Sequence, residues 1–152
     1  MLMIFNFSIH AQDSLNIAGS AGFYAQAFGP EVLGIHVNIN AGGKASINFG
    51  IGGNLDYHLG LNYYFGNRHF SKSTIYAGLQ VASIREFLFF GSDGHERQIG
   101  LYIPIGYEYV AKKGFSLQID VGPNFVGENW EQSNTQIIQG SFKIGYVIKS
   151  KS

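Results

Sequence analysis

Apolar and polar residues alternate with a period of two along most of the chain, the signature of strands with one apolar and one polar face. In residues 97–123, RQIGLYIPIGYEYVAKKGFSLQIDVGP, one face reads Ile99, Leu101, Ile103, Ile105, Tyr107, Tyr109 and the other Gln98, Gly100, Tyr102, Pro104, Gly106, Glu108. The pattern predicts eight strands near 15–27, 32–40, 44–53, 55–65, 73–88, 96–109, 114–126 and 135–149. Short connections rich in Gly, Pro, Asn and Asp separate them, which favours hairpins between sequential neighbours. Every hydrophobic run is interrupted before the ~18 apolar residues of a membrane helix, so a chain that crosses a membrane does so with strands.

The faces separate consistently. One carries Leu33, Ile35, Val37, Ile39, then Ala45, Ile47, Phe49, Ile51, then Leu55, Tyr57, Leu59, Leu61, Tyr63, Phe65, and later Phe115, Leu117, Ile119, Val121 with Phe142, Ile144, Tyr146, Ile148. The other carries His36, Asn38, Asn40, Ser46, Asn48, Asp56, His58, Asn62, Gln80, Gln98, Glu108, Ser116, Gln118, Asp120, Gln139, Ser141 and Lys143. Alternation alone does not say which face points outward. Composition does: charged residues are 13% of the chain, and the polar face is mainly Asn, Gln, Ser, Gly and His rather than the Lys and Glu of a water-facing sheet. Such a face suits a confined interior. The apolar face ends in Tyr63, Phe65, Tyr107, Tyr109, Phe115 and Tyr146, which a barrel with both termini on one side gathers into one aromatic girdle. The expected fold is therefore all-β, an eight-stranded antiparallel up-and-down transmembrane β-barrel with short loops. Arg85 falls on the outward phase and is expected above the hydrocarbon or after a bulge.

Length, composition and charge narrow the classes. At 152 residues the chain holds one domain, taken as 12–152, and 21 glycines argue against a helical soluble domain. Zero formal net charge gives no footprint for nucleic acid. The absence of Cys excludes disulfides, thiolate metal sites and Cys nucleophiles. Residues 1–11, MLMIFNFSIHA, read as a truncated secretory signal cut after Ala11, so that the mature chain begins at Gln12. The first cation is Lys44, and a missing positive n-region places the expected start further upstream. An edge strand or tail over 1–9 is the alternative.

The stretches LYIPIGYEY (101–109), GFSLQIDVGP (114–123) and LGLNYYFG (59–66) resemble the small outer-membrane β-barrel proteins of Bacteroidetes-type bacteria over residues 12–149. The resemblance implies an outer-membrane location, contact with outer-membrane lipid and insertion by the barrel-assembly machinery, and an even number of strands puts both termini on the periplasmic side. It brings no catalytic residues and no cofactor. Such barrels often finish in an aromatic residue, whereas this chain runs past Tyr146 to Ser152.

Several groups have the chemistry for a site. Asp56 and His58 share a strand face, where a carboxylate can orient an imidazole, and His36 can join them as ligand or base. The five histidines show no HxH or HExxH spacing, so hydrogen bonding in a polar lumen is the plainer reading. Ser20, Ser46 and Ser141 lack a G-x-S-x-G setting. Asp56, Glu108 and Asp120 share the expected lumen with Lys143 and Lys149, where opposed charges pair. Gly50 to Asn54 lacks the Lys-Ser/Thr of a phosphate loop. Trp130 is a recognition tip or an interfacial anchor. Eight strands leave an interior that side chains fill, with Tyr64, Tyr102, Gln118 and Lys143 as fillers. The expected function is non-enzymatic, a monomeric envelope structural or surface-interaction barrel meeting an extracellular or envelope protein partner, with no catalytic, metal or cofactor residues. The alternatives are a lipid-modifying outer-membrane enzyme and a soluble lipocalin-like barrel that binds an apolar ligand.

Overall fold

The structure, a computed structural model, describes residues 17–29, 33–53, 56–85, 97–127 and 135–148. The strands are β1 (Ala21–Phe28), β2 (Leu33–Asn40), β3 (Ala45–Gly52), β4 (Tyr57–Tyr64), β5 (Lys72–Arg85), β6 (Arg97–Tyr102), β7 (Ile105–Val110), β8 (Phe115–Gly127) and β9 (Thr135–Ile148). β1 to β5 each pair antiparallel with the next, β8 pairs antiparallel with β9, and β1 pairs with β9 from Ala21–Ile148 to Phe28–Ser141, which closes the sheet. Closure gives every strand a partner on both sides and removes the edge at which a sheet would recruit another chain.

β6 and β7 are two halves of one stave, so the closed barrel has eight staves. Both halves pair with β5 and with β8, and the register runs on unbroken. Gln80 faces Tyr102 and Ala77 faces Ile105 on one side, while Asn124 faces Tyr102 and Val121 faces Ile105 on the other. The interruption is Ile103-Pro104, where proline removes a ladder donor. The backbone bridges it by Gly78 N–H to Pro104 C=O (2.8 Å) and Ile103 N–H to Pro123 C=O (3.0 Å). Gly122 lies against this gap, and a Cβ there would run into the Ile103 carbonyl and Pro104 Cα. The single strand expected over 96–109 is thus split by its own proline.

The first strand also differs from the expectation. It starts at Ala21, not near 15, because Ile17 to Ser20 turn across the barrel end: Ser20 N–H bonds Ile17 C=O (3.0 Å) and Gly19 N–H bonds Asn40 C=O (2.9 Å). That end, which carries Ile17, Ile148 and the turns 41–44, 65–71 and 111–114, is called the turn end. Gly114, at φ +99°, adopts the left-handed conformation that closes the 111–114 turn. The aromatics named above gather there on the outside, with Phe115 opposite Tyr146 and Tyr146 opposite Phe23.

Burial is inverted relative to a protein folded in water. His36, Asn38, His58 and Gln80 are 0% exposed, whereas Leu59, Leu61 and Ile105 are 59%, 60% and 61% exposed. Tyr64, Tyr102, Gln118 and Lys143 fill the interior as expected. The side chains of Gln98 and Arg85, and the expectations for residues 1–11, Leu55, Trp130 and Lys149, lie outside the described residues.

Candidate functional site

Strand alternation sends every second side chain into the lumen, and neighbouring staves place those side chains on shared rungs. At the turn end the lumen is stoppered by a loop. Residues 65–71 fold across the mouth, tied by Arg68 N–H to Gly43 C=O (3.3 Å), Ile17 N–H to Arg68 C=O (3.3 Å) and Ser71 N–H to Val110 C=O (2.6 Å). Ile17, Tyr24, Phe70, Val110 and Val147 form an apolar cluster beneath it. Arg68 reaches into the barrel. Its Nε and Nη2 donate to the two Glu108 oxygens at 2.7 Å each, its Nη1 donates to Asn40 Oδ1, and its guanidinium lies 3.8 Å from the Tyr64 ring centre. Glu108 also accepts from Gln118 Nε2 (2.6 Å) and the Tyr24 hydroxyl (3.2 Å). A bidentate pair with its remaining lone pairs occupied is the arrangement that a buried charge requires.

A second ionic centre forms on Asp120. Lys143 Nζ (2.8 Å) and the Tyr76 hydroxyl (2.7 Å) donate to Oδ2, and the Tyr102 hydroxyl (2.6 Å) donates to Oδ1. Gly106 stands between Tyr76 and Asp120 in the register, and a Cβ there would meet the Tyr76 ring at 2.5 Å and Asp120 Cβ at 2.7 Å. The missing side chain is what lets the phenol reach the carboxylate across a stave.

The same device joins the two histidines. His36 and His58 both face Gly50 in the register, and over it His36 Nδ1 lies 3.1 Å from His58 Nε2, with ring centres 5.0 Å apart. One imidazole donates and the other accepts. Tyr24 packs edge-on against His36 at 5.7 Å. Beyond them, on β3 to β5, the amides of Asn48, Asn62 and Gln80 are buried with no hydrogen-bond partner among the described residues.

The structure therefore brings His36 and His58 together, buries Asp56 on the same face as His58, and pairs Asp120 with Lys143. Ser20 accepts from Asn40 Nδ2 at 2.6 Å. Ser46 and Ser141 stand opposite Asn40 and Asn62, and opposite Asp120 and Phe28, on rungs without a histidine. No group of three or more His, Cys, Asp or Glu that could hold a metal ion occurs among the described residues. The partner of Glu108 is Arg68, a residue of the 65–71 loop. Nothing in strand alternation flags a loop cation that folds back inside.

No protein-family model matches the chain, and no curated protein matches it. Among solved structures, the chain is similar to the N-terminal β-barrel domain of Pseudomonas aeruginosa OprF, with a TM-score of 0.58 and 14% identity over 86% of this chain and 98% of that one. At that identity the likeness establishes the fold, a closed eight-stranded antiparallel barrel.

Proposed function

We propose that the chain is a small outer-membrane barrel with a side-chain-filled lumen, a non-enzymatic protein that contributes to envelope structure or contacts an envelope or extracellular partner as a monomer. The observation that carries this reading is the inverted burial: a continuous apolar exterior around a polar, ion-paired interior suits a wall facing hydrocarbon. Among the described residues no helix is long and apolar enough to cross a membrane, so the strands would do so. The OprF barrel domain lends the reading support through its fold. Both termini are placed on the periplasmic side, delivered by a signal peptide and inserted by the barrel-assembly machinery.

A non-enzymatic role is favoured because Glu108 and Asp120 are both occupied by a cation and by further donors, which leaves neither poised as a base. Two experiments test the reading. Fractionation of cells expressing the protein behind a functional signal sequence should recover it with the outer membrane, extractable only in detergent. A soluble monomer would favour a lipocalin-like barrel instead. Mass spectrometry of envelope lipids from cells with and without the protein should show no difference, and a shifted acyl or headgroup pattern would favour a lipid-modifying enzyme.

A further inference from the structure

The exposed charges of the described side chains are all lysines, and all sit at one end. Lys44 lies on the 41–44 turn, Lys72 opens β5, and Lys112 and Lys113 form the 111–114 turn. The described acidic residues, Asp56, Glu108 and Asp120, are all buried. The turn end therefore carries four exposed cations with no exposed carboxylate among the described residues.

Hydrogen bonds and register set the chain that carries these lysines level with the aromatic girdle. The Tyr146 hydroxyl donates to the Lys113 carbonyl. Tyr64 N–H donates to the Lys44 carbonyl at 2.8 Å, beside the exterior Tyr63. Lys72 precedes Ser73, whose hydroxyl accepts from Tyr107. A tyrosine girdle marks the depth at which hydrocarbon gives way to headgroups, and ammonium groups at that depth meet lipid phosphates.

We infer that the turn-end rim is a binding surface for anionic phospholipid headgroups, with Lys44, Lys72, Lys112 and Lys113 as phosphate contacts. The inference rests on the membrane reading above. The occupant is a lipid, not a soluble polyanion, because the cations are spread around the rim over two turns and the start of β5 and continue the girdle. It is an anionic lipid because a zwitterionic headgroup brings its own ammonium, which competes with the lysines for the phosphate.

The test is electron spin resonance of the protein folded into phosphatidylcholine vesicles that contain a trace of chain-labelled phosphatidylglycerol or chain-labelled phosphatidylcholine. The fraction of motionally restricted label reports lipid held against the barrel wall. At low salt, phosphatidylglycerol should associate about two- to fivefold more strongly than phosphatidylcholine. The preference should fall to about onefold in the Lys44→Gln/Lys72→Gln/Lys112→Gln/Lys113→Gln variant, and shrink in 1 M salt, where the Debye length is ~3 Å. The variant's folding is checked by its heat-shifted band on SDS gels. Equal restriction of the two lipids by the native protein, or a preference that survives in the folded variant, would overturn the inference while leaving the membrane reading intact. Absence of any restricted component for either lipid would remove both.

Discussion

At the scale of single residues, inverted burial reverses the usual consequences of substitution. Leu61 is on the exterior, so Leu61→Phe should change stability by only a few tenths of a kcal/mol in lipid, whereas a close-packed core would oppose the added volume by ~1–3 kcal/mol. Gln118 is buried and donates to Glu108, so Gln118→Leu should cost about 1–3 kcal/mol by stripping a donor from a buried carboxylate. Reversible urea unfolding from vesicles measures both, and a costly Leu61→Phe beside a silent Gln118→Leu would mean that the faces are assigned the wrong way round. Arg68 is the more demanding case. Arg68→Met leaves Glu108 charged and without its cation, and should cost about 3–5 kcal/mol. Adding Glu108→Gln to that variant should recover a large part of the loss, a coupling that a double-mutant cycle reads directly. Strictly additive losses would show that the pair does not act as a unit. This pairing was illegible in the sequence because Arg68 sits in a Gly-, Asn- and Ser-bearing connection that reads as solvent-exposed loop. The Asp120–Lys143 pair was legible because both residues fall on the inward phase of long, regular strands.

Among the elements, alternation located most strands to within a few residues, because a period of two holds wherever one face meets a different medium from the other. It failed where backbone chemistry overrides pattern. Ile99 to Tyr109 alternates without a fault, yet the stave breaks at Pro104, and the register survives only because Gly122 leaves room beside it. Gly122→Val should therefore lower stability by about 1–3 kcal/mol through overpacking against Ile103 and Pro104. Gly42→Ala should be close to neutral, since a Cβ there meets nothing within 4 Å and the residue does not require a positive φ. Paired denaturation midpoints decide this, and equal losses at both sites would argue against a tight gap at the broken stave. The first strand departs from the pattern for a different reason: Asn16 to Ala27 places Ala and Gly on both faces, so no periodicity marks where the chain leaves the barrel mouth and enters the wall.

For the whole molecule, closure and inversion are separate properties with separate tests. A closed ladder has no free edge at which unfolding begins, so the folded barrel should migrate differently on SDS gels before and after boiling, and identical migration of a sample shown to be folded would count against closure. Inversion is the central claim, and the absence of Cys gives direct access to it, since a single introduced cysteine carries a single label. Nitroxides placed in turn at Tyr57, Leu59, Leu61 and Tyr63 along the exterior of β4, in protein folded into phospholipid vesicles, report collisions with oxygen, which concentrates in hydrocarbon, and with a water-soluble nickel chelate, which does not. The account predicts high oxygen and low nickel collision rates at 59 and 61, with nickel access rising toward 57 and 63. High nickel access at 59 and 61, equal to that of a freely solvated site, would contradict it.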